Sequence, residues 1–311
     1  MTPPAYHLRT NKAIDRFMFI EAIRRMVQPN EFSKYTYYGF GGPYLDDFRL
    51  LHESFPRMKM ISIEKCDQVY KRQTFHLPTG QIKLRRTDLS SFLARYDSHD
   101  KESIFWLDYT GLEYSQFEEF MLLLTKVTAG SIVKITLRAN PSDYHDKEDE
   151  FREKFAAILP NSSVVPPREF EEFANLLQDM LQIASQQALP SATGFAYQPI
   201  SSFCYRDGAG ILTLTGVVCA TDGRKQIKEQ FVGWPYANLH WAKPKHIDVP
   251  FLSTKERLHL QQHLPCVRDA GRKLIRILGY KIDDDRTAAV AQMKQYAEYY
   301  LQYPYFMRAF P

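Results

Sequence analysis

A glycine cluster and three acidic residues hold the chemistry this sequence could do. In KYTYYGFGGPYLDDF, residues 34–48, a β-prone run meets Gly39-Phe40-Gly41-Gly42 and then turns helical. Missing side chains at such a turn let a backbone approach a ligand. Glu64 follows Gly42 by 22 residues, and an acid about 20 residues beyond such glycines commonly binds ribose hydroxyls. Asp88, in RTDLSSF, sits where an adenine amino group could be read; Asp108, in WLDYTG, stands where a reacting group would lie. The same Asp88, or Thr87, could instead cap the helix that follows. A glycine turn and a ribose acid also suit NAD, but the third and fourth positions argue against it.

These residues need a scaffold that brings successive strand ends together. Each closes or follows a β run: YTYYGF, MKMISIEK (58–65), QIKLRRTD (81–88) and SIFWLDYTG (103–111), with a fifth strand at SIVKITLRAN (131–140). Helical stretches alternate with them, including DDFRLLHESF, DQVYKRQTF, LSSFLARY and SQFEEFMLLLTKV. That alternation predicts a parallel sheet with right-handed crossovers. NKAIDRFMFIEAIRRMV (11–27) reads as a preceding helix with Asn11 as N-cap. After two further helices split near Pro166-Pro167, ISSFCYRDGAGILTLTGVVCA (200–220) reads as a hairpin turning at Asp207-Gly208-Ala209-Gly210. A Pro- and aromatic-rich loop around Trp241 and three helices complete the chain, the first capped by Ser253.

In its glycine turn, the three acids after it and the hairpin SSFCYRD/ILTLTGVV, the chain resembles the class I S-adenosylmethionine-dependent methyltransferases. The likeness covers roughly residues 30–220 and implies an α/β, Rossmann-like, seven-stranded methyltransferase sheet ending in an antiparallel hairpin, here with a helical C-terminal extension. The expected divisions are 1–28 (N-terminal helix), 29–222 (methyltransferase domain) and 223–311 (loop and helical extension). The resemblance implies S-adenosyl-L-methionine as cofactor, with Gly39, Gly41 and Gly42 under the methionine moiety and Glu64 on the ribose. Asp88 would face the adenine, and Asp108 with Tyr109 would border the transferring methyl. Two positions depart from the family pattern. Tyr37 stands where many members carry an acid for the methionine amine, and Asp108-Tyr109-Thr110-Gly111 lacks the proline of the amino-group methyltransferase loop. Both departures motivate an alternative: a catalytically degenerate subunit serving as scaffold or cofactor sensor in a larger assembly.

The totals set the remaining expectations. No apolar stretch is long enough to span a membrane, and four scattered cysteines fit free thiols in a reducing cytoplasm. A net charge of +4 and 14% aromatic residues permit an anionic partner without demanding one. Arg9, Lys12 and Arg16 read as a solvated helix face that could otherwise clamp a phosphate. Arg268, Arg272, Lys273 and Arg276 fall mostly on one helical side, and the Tyr-rich YAEYYLQYPYFMRAF closes the chain. These favour a nucleic-acid base or a protein as acceptor, and a protein partner through the C-terminal helices. His259, His263 and Cys266 imitate metal-ligand spacing with no fourth ligand, so a surface helix face is expected and no metal site.

Overall fold

A computed structural model describes residues 9–98, 101–161, 166–266 and 268–304. Part of the Tyr-rich C-terminal stretch, from residue 305, lies outside them. Two compact units are present: Phe19–Cys204 with Ala209–Lys245, and a smaller one built from residues up to Met18, Tyr205–Gly208 and residues from His246 on.

The larger unit is an α/β layer structure. Five strands, β1 (Thr36–Gly39), β2 (Lys59–Glu64), β3 (Ile82–Arg86), β4 (Ser103–Asp108) and β5 (Ile132–Arg138), alternate with helices α2 (Asp46–Ser54), α3 (Asp67–Phe75), α4 (Leu89–Arg95) and α5 (Tyr114–Lys126). Helix α1 (Thr10–Met26) precedes them; α6 (Glu148–Phe155) and α7 (Phe170–Ala188) lead to the long hairpin β6 (Phe195–Asp207) and β7 (Ala209–Ala220). The sheet runs β3-β2-β1-β4-β5-β7-β6-β8, parallel from β3 to β5 and antiparallel where β7 meets β5. The expected sheet is thus present. It carries one more strand than predicted, β8 (Lys245–Ile247), drawn from a stretch whose prolines read as loop. Helix α8 (Arg224–Gln230) is likewise an addition. Strand order reverses between β1 and β4, which places a crevice at their carboxyl ends.

Both sheet faces are buried, as a parallel sheet requires. One core packs Phe105, Leu107, Val133 and Ile135 against α4, α5 and α7. The other packs Met60, Ile104, Trp106 and Ile132 against α2 and the second half of α1. Gly216 on β7 shows how tightly the hairpin fits. A Cβ there would meet the Tyr197 ring at 2.4 Å, and Tyr197 donates its hydroxyl to the Val133 carbonyl at 2.8 Å.

In the smaller unit, α9 (Thr254–Gln261) begins at Ser253, whose hydroxyl accepts the Glu256 N–H while Glu256 reaches back to the Ser253 N–H. Helix α10 (Ala270–Leu278) packs on α11 (Arg286–Tyr299) so closely that a Cβ on Gly271 would lie 2.2 Å from the Val290 carbonyl. The start of α1 departs from expectation. Helix α1 begins at Thr10, which puts Asn11 inside it, and the cap comes from 195 residues away: Asp207 accepts the Lys12 N–H at 2.8 Å. Asn11 instead donates to the Arg206 carbonyl and accepts the Val249 N–H. Lys12 and Arg16 are buried, not a solvated face. Among the described residues, no helix is long and apolar enough to cross a membrane.

Replacing Gly216 by alanine should force the Tyr197 ring off its seat and cost about 1–3 kcal/mol. Urea unfolding should show a lower midpoint with an unchanged slope.

Candidate active site at the strand-order reversal

The glycine turn leaves β1 at its carboxyl end, one strand from β4 and one from β2. Gly39 pairs in register with Ser62 on β2 and Trp106 on β4. The three glycines are there for different reasons. A side chain on Gly39 would meet the Tyr37 hydroxyl at 2.6 Å, and one on Gly41 would meet Leu45 at 2.7 Å and Ser62 at 3.0 Å. Space at those two positions is taken by the protein itself. Gly42 differs: its φ is +54° and nothing lies within 4 Å of a Cβ built there, so backbone is presented to open space in a conformation that glycine adopts cheaply.

The carbonyls of this turn have no strand to bond, and two buried polar side chains hold them. Gln73 on α3, fully buried, donates one amide proton to the Phe40 carbonyl and the other to that of Gly42, both at 2.9 Å. Ser62 Oγ lies 3.2 Å from the Phe40 carbonyl and 3.1 Å from Gln73 Oε1, and its single proton serves one of them at a time. Neither residue was predicted. Gln73 sits in a polar helical stretch, and nothing local marks it as the residue that turns inward.

The three acids occupy successive strand ends. Glu64 closes β2, half-buried, with Oε1 accepting the Cys66 N–H at 2.7 Å. Burial pushes its carboxyl above the ordinary value of 4.5, although the Cys66 and Lys65 N–H groups oppose that. Asp88 is exposed and caps α4, Oδ1 accepting the Ser91 N–H at 2.7 Å, and this bond holds its carboxyl below the usual range. Asp108 closes β4, partly buried, level with Thr136 of β5. Tyr109 packs its ring on Phe40 with centroids 5.3 Å apart and donates its hydroxyl to Glu119 at 2.5 Å. The turns after β1 and β4 therefore touch through Phe40 and Tyr109. Burial first, and then Glu119, drives the Tyr109 hydroxyl far up, so it stays neutral and acts as a donor. Glu119 also accepts from Ser90 at 2.6 Å, tying α4 and α5 to the same corner. The Trp241 ring lies 6.1 Å from that of Tyr197, against the core under α7.

Residues 4–311 match the family described as "putative O-methyltransferase". The chain belongs to this family. Its sheet is that of the class I S-adenosylmethionine-dependent methyltransferases. Among solved structures, Trm1 from Pyrococcus horikoshii in complex with S-adenosyl-L-methionine is similar at 10% identity, covering 74% of this chain and 62% of that one, with a TM-score of 0.49. The fibrillarin/Nop5p complex matches at 11% identity over 58% and 71% of the two chains, TM-score 0.37. The Methanococcus jannaschii fibrillarin pre-rRNA processing protein matches at 10% over 61% and 69%, TM-score 0.40. The chain spans less than two thirds of the Trm1 chain. No curated protein sequence matches it.

The loop after β4, which lacks proline, is fixed by hydrogen bonds instead. The Tyr109 N–H bonds the Thr136 carbonyl at 3.2 Å, and the Gly111 carbonyl accepts the Arg138 N–H at 3.2 Å. The Leu112 carbonyl accepts from the Tyr144 hydroxyl at 3.1 Å and from Lys154 at 3.3 Å. Tyr144 also lines a cleft beyond β5 with Ser142, His145, Glu148 and Arg168. These contacts bring the glycine turn, Glu64, Asp108 and Tyr109 to one end of the sheet, with Asp88 at its rim.

Gln73→Leu, which keeps bulk and removes both donors, should cost on the order of 1–3 kcal/mol by leaving the Gly42 carbonyl without its donor and the Phe40 carbonyl with Ser62 alone. Thermal unfolding, together with amide exchange at Gly41 and Gly42, measures this. Unchanged protection there would show that the turn does not depend on Gln73.

Proposed function

We propose that this chain is an S-adenosylmethionine-dependent methyltransferase acting on a macromolecule, a nucleic acid or a protein. The observation that carries the reading is the open backbone at Gly42, held by Gln73 at the reversal of strand order and flanked by the carboxylates of Glu64 and Asp108. Such a cradle fits the cofactor: a bare backbone edge for the methionine end and a half-buried acceptor for two ribose hydroxyls. The cofactor, when bound, supplies a methyl group on a positively charged sulfur.

Each residue then has a definite task. The turn through Gly39, Gly41 and Gly42 passes beneath the methionine moiety, with contact at Gly42. Glu64 accepts hydrogen bonds from the ribose. Asp88 faces the adenine amino group with the acceptor capacity that its bond to Ser91 leaves over. Asp108 and Tyr109 border the transferred methyl. Most of the rate comes from alignment, but an oxygen acceptor, which the family description names, must also lose a proton. Asp108 takes that proton. Tyr109 does not, because its phenol is held neutral and already donates to Glu119.

A macromolecular acceptor is supported by the smaller unit, where Arg272, Lys273 and Arg276 are all exposed on α10. Leu258 and Leu301, 52% and 74% exposed, suit a protein partner on the same unit. The exposed or half-exposed thiols of Cys66 and Cys266, which form no disulfide, suit a cytoplasmic setting.

A second reading, a degenerate subunit that binds the cofactor without transferring from it, is favoured by one observation. Tyr37, at the position of the amine-binding acid, is 1% exposed and packs edge-on against Phe48 at 4.9 Å.

Calorimetric titration with S-adenosylmethionine and S-adenosylhomocysteine tests the cofactor. Wild type should bind both, and Glu64→Ala should weaken binding by about tenfold or more, the loss of a charged hydrogen-bond partner. Because burial raises the Glu64 carboxyl, affinity should fall as the pH drops through a value above 4.5. No binding by wild type, or undiminished binding by Glu64→Ala, would sink the assignment. Transfer is tested separately with labelled donor and cellular RNA, DNA and protein: incorporation that Asp108→Asn abolishes without loss of donor binding supports the enzyme. Donor binding with no incorporation supports the degenerate subunit.

A further inference from the structure

Charge in this chain is concentrated at one edge of the sheet. Residues 65–86 hold six cations, Lys65, Lys71, Arg72, Lys83, Arg85 and Arg86, against one acid, Asp67. That is +5 in 22 residues of a chain whose total is +4, so the other 289 residues sum to −1. All six cations are exposed. Asp67 is shared between Lys71 at 2.8 Å and Arg86 at 3.0 Å, which leaves the surplus uncompensated within the segment.

An edge strand is commonly guarded by charge, and that accounts for Lys83 and Arg85 on β3. It does not account for what α3 displays. Phe75, the last residue of α3, is 85% exposed, and Tyr44, just past the glycine turn, is 42% exposed. Phe75 and His76 meet edge-on at 5.1 Å, His76 meets Tyr44 at 5.1 Å, and the Arg72 guanidinium lies 4.7 Å over the Tyr44 ring while donating to its hydroxyl at 2.5 Å. Arg49 fixes the row from below, donating to the His76 carbonyl at 2.6 Å and the Tyr44 carbonyl at 3.2 Å. Four flat groups therefore touch in succession, Phe75 to His76 to Tyr44 to Arg72, the last three tied by hydrogen bonds, among a surplus of positive charge.

A polyanion that carries its own flat groups fits such a surface. Cations meet phosphates, and exposed rings accept unpaired bases, which a duplex hides. An acidic protein would satisfy the charge, but the unpaired bases of a single strand meet both the charge and the exposed rings along one chain. We infer that the α3 edge, formed by Tyr44, Arg49, Lys71, Arg72, Phe75 and Arg86, is a binding surface for single-stranded nucleic acid. Its position adds weight: Gln73, between Arg72 and Thr74, is the residue that holds the Gly42 carbonyl. One face of α3 clamps the glycine turn while the other carries the platform. That the bound strand is the methyl acceptor rests on the function proposed above; the binding itself does not.

The test is fluorescence anisotropy of the full chain with a labelled mixed-sequence RNA of about 20 nucleotides, without methyl donor, across a salt series. With four cations on phosphates, log affinity should fall against log salt with a slope of about −3. Phe75→Ala should weaken binding about tenfold, the loss of one stacked base, and leave the slope unchanged. The double variant Lys71→Glu/Arg72→Glu should flatten the slope by about 1–2. Circular dichroism should show both variants folded, and both should bind S-adenosylmethionine like wild type, so that failure here is distinct from failure of the cofactor site. Absence of RNA binding at low salt overturns the proposal. So does equal binding of the same RNA as a duplex, equal binding of polyglutamate, or full affinity in Phe75→Ala.

Discussion

A parallel strand that ends in a glycine turn leaves carbonyl groups with no ladder partner, and Gln73 resolves this in the larger unit. Its amide has two protons, and both are spent on the turn, one on each side of Gly41. Because a primary amide is planar, the two carbonyls it serves are fixed relative to one another. Ser62, in register with Gly39, meets the opposite end of the same amide. The geometry passes outward through Phe40 to Tyr109, then through Glu119 to Ser90. Strands β1, β2 and β4 and helices α3, α4 and α5 are thereby tied to one corner, and every proposed cofactor contact depends on where that corner sits.

The opposite face of the sheet shows how rigidly this corner is backed. Lys134, in the middle of β5, is 1% exposed, and its ammonium lies 4.8 Å from the Trp106 ring and 5.2 Å from that of Phe19. A desolvated cation over aromatic faces gains about 2 kcal/mol or more. Trp106 in turn donates its indole N–H to Thr136 at 2.9 Å. Strand β4 therefore reaches Asp108 with its register fixed on both sides, by side chains as well as by backbone.

Much of this was legible in the sequence, and the limit has a physical cause. Alternating strands and helices, glycines after the first strand and acids closing the next ones all depend on neighbours within a few residues. Local pattern located Gly39–Gly42, Glu64, Asp88 and Asp108 at strand ends, and it offered the capping role that Asp88 displays. What escaped was long-range pairing. Gln73 faces inward because two carbonyls 31 and 33 residues earlier need donors. Asp207 caps α1 from 195 residues away, a service that Asn11 would provide if the helix began two residues later. Lys12, Arg16 and Lys134 look like surface cations in a periodic pattern, yet each is buried among partners that no spacing rule can supply. Strand β8 was hidden by the prolines around it.

Tyr37 shows how a departure from the family pattern can be accommodated without loss of the turn. An acid at this point in β1 would place a carboxylate near the open end of the sheet. The phenol instead lies along its own strand, with its hydroxyl in the space that a side chain on Gly39 would fill. Gly39 is therefore explained by Tyr37, and its absence of a side chain is no evidence of ligand contact there. That evidence narrows to Gly42, whose free side faces nothing within 4 Å. Losing one charged contact to an amine removes about 1.5–3 kcal/mol of binding, an amount that the ribose contact proposed for Glu64 and the backbone contact proposed at Gly42 can outweigh. The substitution is thus compatible with a bound cofactor held chiefly at its nucleoside end. Such a mode of binding places the greater demand on Glu64 and on the β2 end of the crevice, beside the cationic edge of the sheet.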